Sequence, residues 1–286
     1  MHAIDLSDIR RHIGARIVEE DVATRAPLEA IVATFNRDEA APAAGEDIPA
    51  GWHVGYFPVR TPTALLGVDG LPGGTDLLPP MPLPRKMYAG NRISFQAPLR
   101  VGDPLRRETE LSNVQLRNGS TGPLIVATQT RRISTPRGVA IVEEYDSVFR
   151  AAVAPGAANP APKAEAPPAG MPWTRVLDVG VAMLFRFSAL TGNPHRIHYD
   201  RPYAMEAEGY PGLVVHGPFL QTCLLDFMRD CMPGKSIRSF SLRARAPVFD
   251  VAPVRLVAGP APDGAGCRAS ALTAEGSVAM DAVAGF

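Results

Sequence analysis

The residues best suited to chemistry lie in one short stretch, Phe185–Asp200 (FRFSALTGNPHRIHYD), with His216-Gly217 sixteen residues further on. An imidazole titrates near neutral pH, so His198 can take a proton and give it back. Asn193 has no useful proton affinity, but its amide can orient a water molecule or a substrate. Gly217 opens an apolar helical pattern. A helix start leaves backbone N–H groups without acceptors at the positive end of the helix dipole. A carbonyl placed there gains stabilisation as it becomes enolate-like, and glycine lets it come close. Together these parts suit proton transfer beside a polarised carbonyl. Each has a blander reading: a buried histidine held by a backbone carbonyl, a turn residue, and an ordinary helix start with Pro218 in its first turn.

His195, Arg196, His216 and Arg243 are the candidate substrate-contacting residues. His195 and His216 also read as braces for the loop, and Arg196 as a salt-bridge former. His195, His198 and Asp200 run H-x-x-H-x-D, with His216 as a further potential ligand. The proline at 194 opposes a common helix face, and the spacing has no structural-zinc form, so no metal is expected. Ser188 and Thr191 lack the G-x-S-x-G context of a nucleophile elbow.

The elements that must position these groups fall in two halves. Residues 153–172 are rich in Ala, Pro and Gly and read as a linker between an N-terminal domain, 1–152, and a C-terminal domain, 173–286. In the first domain, Ile9, Ile13 and Ile17 predict a helix from Ser7 to about Asp21, capped by Ser7, and Leu28–Phe35 adds a shorter one. The Gly/Pro-rich segment 51–84 reads as an ordered covering loop. Strands are predicted at 91–97, 104–115, 124–133 and 139–150. The second domain opens with a strand at 173–179, followed by the motif loop. A helix over 217–231 comes next, with Phe219, Leu220, Cys223, Leu224, Phe227 and Met228 as its apolar stripe. Gln221, Asp226 and Arg229 are left for its other faces. Strands follow at 236–244, 253–258 and 267–283, the last with a turn at Glu275-Gly276. The order implies an α+β fold, sheet wrapped on helix.

Composition allows this. Of 286 residues, 46% are hydrophobic, and 29 basic residues balance 29 acidic ones. No global field favours nucleic acid or an anionic membrane. No apolar run is long enough to span a bilayer. Cys223, Cys231 and Cys267 form no disulfide pattern, which suits a reducing compartment, and a cytoplasmic protein is expected.

LTGNPHRIHYD, with VVHGPFLQT downstream, resembles the signature of MaoC-like (R)-specific hydratases and dehydratases. FSALT, HRIHYDRPYA, LPRKMYAGNRISF and RARAPVFD are similar to its double hot-dog members. These include mesaconyl-C4-CoA and itaconyl-CoA hydratases and a mitochondrial-type 3-hydroxyacyl-thioester dehydratase. The resemblance implies two hot-dog units, each an antiparallel sheet around a central helix, the N-terminal one degenerate and shaping the acyl pocket. It implies reversible hydration of an α,β-unsaturated acyl-CoA without a cofactor, and a homodimer through paired sheet edges. Aligned on Leu190-Thr191-Gly192, the family's catalytic His falls on His198 and its catalytic Asp on Asn193, a departure. Arg243, Arg245 and Arg85-Lys86 become candidates for the CoA phosphates. A hot-dog thioesterase and a non-catalytic acyl-CoA-binding protein are the alternatives.

Overall fold

The computed structural model describes residues 4–75, 77–119, 122–152, 164–262 and 264–286. The expected helix to Asp21 is only the turn α1 (Ser7–Arg10). Gly14 takes φ 90°, left-handed backbone that ends a right-handed helix, and Ile17 falls on strand β1 (Arg16–Val22). Ser7 does not cap α1; its backbone N–H and hydroxyl both donate to the Asp5 carboxylate. Helix α2 (Arg25–Thr34) follows, with Leu28 and Ile31 buried. The covering segment then holds only the short 3₁₀ turns Trp52–Gly55 and Thr63–Leu65.

Strands β2 (Arg85–Phe95), β3 (Pro104–Gly119), β4 (Gly122–Thr135) and β5 (Gly138–Arg150) complete the N-terminal half. The tip of the predicted Asn118-Gly119 turn, residues 120–121, lies outside the described residues. The C-terminal half comprises β6 (Trp173–Leu177), α3 (Val181–Thr191), α4 (Gly217–Cys231), β7 (Ser239–Ala244), β8 (Val254–Pro260), β9 (Gly266–Leu272) and β10 (Val278–Gly285).

Two antiparallel halves are present as expected, the first with five strands instead of the four predicted, but they form one sheet rather than two. The order is β1-β3-β4-β5-β2-β7-β10-β9-β8-β6. The join is the antiparallel pairing of β2 with β7, from Gly90 opposite Arg243 to Ser94 opposite Ser239. The halves also share one apolar core. Leu28, Ile93 and Ile141 belong to the same buried cluster as Phe219, Leu224 and Leu256.

Of the expected linker, residues 153–163 lie outside the described residues. Beyond them, the Glu165 carbonyl accepts from the Val278 N–H at 2.8 Å and its side chain pairs with Arg245 at 2.8 Å. That part of the segment therefore lies on the C-terminal sheet. Among the described residues, no helix is long and apolar enough to cross a membrane.

Helix α4 is the centre of the molecule, and every residue from Phe219 to Met228 is buried. Fully burying side chains such as Phe219, Leu220 and Leu224 contributes ~1.5–3 kcal/mol each. The other faces of the helix, left to Gln221 and Asp226, are buried as well. A helix covered on all sides has no outer face there, so its polar residues find partners inside. Gln221 accepts from Tyr88 Oη and Asn91 Nδ2, each at 2.8 Å, and Asp226 accepts from Trp52 Nε1 at 2.9 Å. Burial raises the proton affinity of Asp226 despite the nearby arginines, Arg229 and Arg37.

Candidate active site

The predicted motif loop begins as a helix, α3, with Leu184, Phe187 and Ser188 buried at i, i+3, i+4 spacing. It stops at Gly192, and the Asn193 N–H closes back on the Ser188 carbonyl at 2.9 Å. The Oδ1 of Asn193 accepts from the His195 N–H at 3.0 Å, an Asx turn that sets the loop's direction. Its amide nitrogen has no protein partner among the described residues, so a donor remains on the cavity wall. A 3₁₀ turn, Arg196–His198, then delivers the key imidazole.

His198 is buried, and its Nδ1 lies 2.7 Å from the Val214 carbonyl. A carbonyl only accepts, so Nδ1 carries the proton and Nε2 is left as the basic nitrogen. His198 lines the cavity, and among the described residues no protein group bonds Nε2. The bland reading, a histidine held by a backbone carbonyl, and the catalytic one therefore describe the same group. Burial pushes its pKa down to about 3, with His195 adding to the effect. His195 is pushed to about 4 by burial and then by the charge of Lys86. Its ring meets that of His198 edge-on at 5.4 Å.

His216 differs from the expectation that it touches substrate. It is fully buried, and it is not among the residues that line the cavity. Its ring stacks on His198 at 3.7 Å, and its Nε2 lies 2.8 Å from Ser188 Oγ. Position explains this: as the N-cap of α4 it is wedged between α3 and the 3₁₀ turn, so it braces rather than binds. Burial, then His198 and His195, hold it well below the usual imidazole range. Ser188 is likewise absent from the cavity wall, and Thr191 Oγ1 is spent on the Phe187 carbonyl.

Gly217 follows His216 directly and does line the cavity. No side chain caps this helix start, so its N–H is among those left without an acceptor. A Cβ at 217 would collide with the Tyr88 ring, so glycine is required first by the protein's own packing. Arg196 is not on the cavity wall. Its guanidinium donates to Asp200 Oδ2 at 2.7 and 2.9 Å and to the Val68 carbonyl at 2.7 Å, clamping the loop to the covering segment. Those bonds also keep the Asp200 carboxyl below its ordinary range. Arg243 does lie at the cavity, exposed and without a hydrogen-bond partner among the described residues.

The cavity has a volume of about 1280 Å³ and runs between the halves. Its opposite wall is the inner face of the N-terminal sheet, which carries polar groups that the sequence reading missed. Asn91 donates to Glu143 and Gln221, and Glu143 pairs with Arg131 at 3.2 Å, beneath the first turn of α4. Glu143 lies in phase with Ile141 and Ser147, both buried. A charged residue in an inward register was the available signal.

Residues 51–250 match the family described as hydroxyacyl-thioester dehydratase type 2. The chain belongs to that family. It is therefore a hydro-lyase that interconverts unsaturated and hydroxyacyl thioesters. It is 45% identical over 244 residues to a protein of Chloroflexus aurantiacus named mesaconyl-C(4)-CoA hydratase, covering 85% of each chain. Among solved structures, a MaoC-like dehydratase from Phytophthora capsici superposes with a TM-score of 0.67 at 14% identity, covering 99% of each chain. A Mycobacterium tuberculosis protein described as having a double hotdog fold gives 0.59 at 14% identity, covering 95% of each. The expected double hot-dog fold is thus shown, with its two units fused into one sheet.

Proposed function

We propose that the enzyme adds water reversibly to the double bond of a short dicarboxylic enoyl-CoA of the mesaconyl-C4-CoA type. The observation that carries this is the paired placement of an open imidazole nitrogen at His198 and the free helix-start N–H at Gly217. Both face one cavity, and the His198 ring is stacked on the residue that precedes Gly217. The thioester oxygen sits at the Gly217 N–H. His198 Nε2 takes a proton from water while the hydroxide oxygen bonds to the β-carbon. The electron pair of the double bond moves onto the thioester as an enolate, which the helix start stabilises. The imidazolium then returns its proton to the α-carbon, and the amide nitrogen of Asn193 holds the water. All atoms of water end on the product, so no redox partner enters.

Burial keeps the His198 imidazole neutral at physiological pH, so Nε2 enters the reaction unprotonated. Arg243 at the cavity edge is suited to a CoA phosphate. The three unpaired thiols fit a cytoplasmic enzyme, and the unpartnered outer strands β1 and β6 are where a homodimer would pair.

The test is product analysis with mesaconyl-C4-CoA and with crotonyl-CoA. The proposal expects loss of the conjugated enoyl absorbance and a product one water heavier, with the CoA thiol still masked. Release of free thiol at the rate of substrate loss would indicate hydrolysis instead, and binding without turnover a carrier.

A further inference from the structure

Among the described residues, Arg60, Lys86, Arg150 and Arg243 line the cavity without a carboxylate partner; Arg60 and Arg243 are exposed and Arg150 ends β5, whereas Lys86 is half-buried on β2. Arg107 pairs with Glu19 at 2.6 Å, and Arg131 with Glu143. Lys86, on β2, lines the same cavity, and its ammonium makes no ion pair or hydrogen bond among the described residues. Asp69 is near enough to favour its charge, but Asp69 Oδ1 takes the Leu71 N–H in a turn and forms no pair with it. Burial and the positive Arg131 together lower its pKa to about 8. An ammonium kept charged at neutral pH in such a place is costly unless something negative joins it.

Its position indicates what that is. Lys86 lies two residues before Tyr88 on β2 and so on the same side of the strand; the Tyr88 ring packs against Gly217, which places Lys86 toward the reacting end of the cavity. A carboxylate on the β-carbon of an enoyl thioester lies beside the atom that receives water. Resting on the hydratase reading above, we propose that Lys86 is the counter-ion for the free carboxylate of the acyl group. It would thereby select dicarboxylic over neutral enoyl thioesters. The pairing acts on binding and placement, leaving proton transfer to His198.

Steady-state kinetics on two substrates with the same CoA moiety test this: mesaconyl-C4-CoA and crotonyl-CoA. Lys86→Met lowers kcat/KM on the dicarboxylic ester by about 10–100-fold, mostly through KM, as expected for losing a hydrogen bond between charged groups. Crotonyl-CoA turnover stays within about threefold, and Lys86→Arg restores most of the dicarboxylic activity. Lys86→Gln and Lys86→Arg keep the comparison readable if the methionine variant does not fold. Equal losses on both esters would mean that Lys86 holds the shared CoA part or the fold, and would overturn the proposal. So would an unchanged dicarboxylic rate. Wild-type enzyme that hydrates crotonyl-CoA alone would sink the Lys86 assignment and leave the hydratase reading standing; enzyme that hydrates neither would sink both.

Discussion

Acid should destabilise this protein through the same histidines that serve its site. His198 is held down to about 3 and His195 to about 4, both chiefly by burial, whereas an imidazole in an unfolded chain titrates near ~6.5. As the pH falls below that value, protons bind the unfolded chain while the folded one still refuses them. Stability that is fully present above pH 6.5 is therefore lost progressively toward the folded pKa values. Between pH 7 and pH 5, His198 alone withdraws ~2 kcal/mol by this linkage. His195, partly open to the cavity, withdraws less, and His216 pulls in the same direction. A combined loss of ~2–4 kcal/mol is a large share of the ~5–15 kcal/mol typical of folded proteins. Urea unfolding at pH 7 and pH 5 reads it, in the wild type and in His198→Asn. The variant's stability should fall less steeply with acid, by ~2 kcal/mol over that interval. Equal pH slopes in the two proteins would refute the reasoning, as would an NMR titration of His198 centred near 6.5.

Three further outcomes follow from the geometry. Gly217→Ala drives a methyl group into the Tyr88 ring and should cut turnover by ~10²–10³-fold by displacing the helix-start N–H; combining it with Tyr88→Ala should recover thermal stability but not the full rate. Ser188→Ala leaves His216 Nε2 buried without its partner, and melting should report a loss of ~1–3 kcal/mol with the KM for substrate little changed. Asn193→Asp keeps an oxygen for the His195 N–H and supplies a second base, so its turnover should match or exceed that of the wild type, whereas Asn193→Ala should lose about tenfold or more, within the range of a positioned polar group.

The sequence was most readable where the signal is local. The helix Gly217–Cys231 was predicted with its observed bounds, because the apolar stripe and Pro218 both mark it. The strand cores of the meander followed from alternation and turn residues. Failures came where tertiary contacts decide. The Ile9–Ile13–Ile17 spacing looked helical, but the pairing of β1 with β3 captured Ile17. Helix α3 buries only Leu184, Phe187 and Ser188, too few inward positions in eleven residues for a clear helical period. At the site, His198 and Gly217 line one cavity, whereas Arg196 and His216 are not on its wall. Nothing local distinguishes an imidazole that faces a cavity from one stacked behind it. Lys86 and Glu143 depend on which sheet face the cavity opens, a property of the assembled halves.

His198 is the proposed proton carrier, and His198→Gln tests that most directly, since glutamine can fill the space and donate to the Val214 carbonyl. Hydration of the enoyl-CoA by this variant should fall by ~10²–10⁴-fold, with the dissociation constant of the thioester within about threefold of the wild type. A folded His198→Gln protein that hydrates its substrate at the wild-type rate would contradict the account.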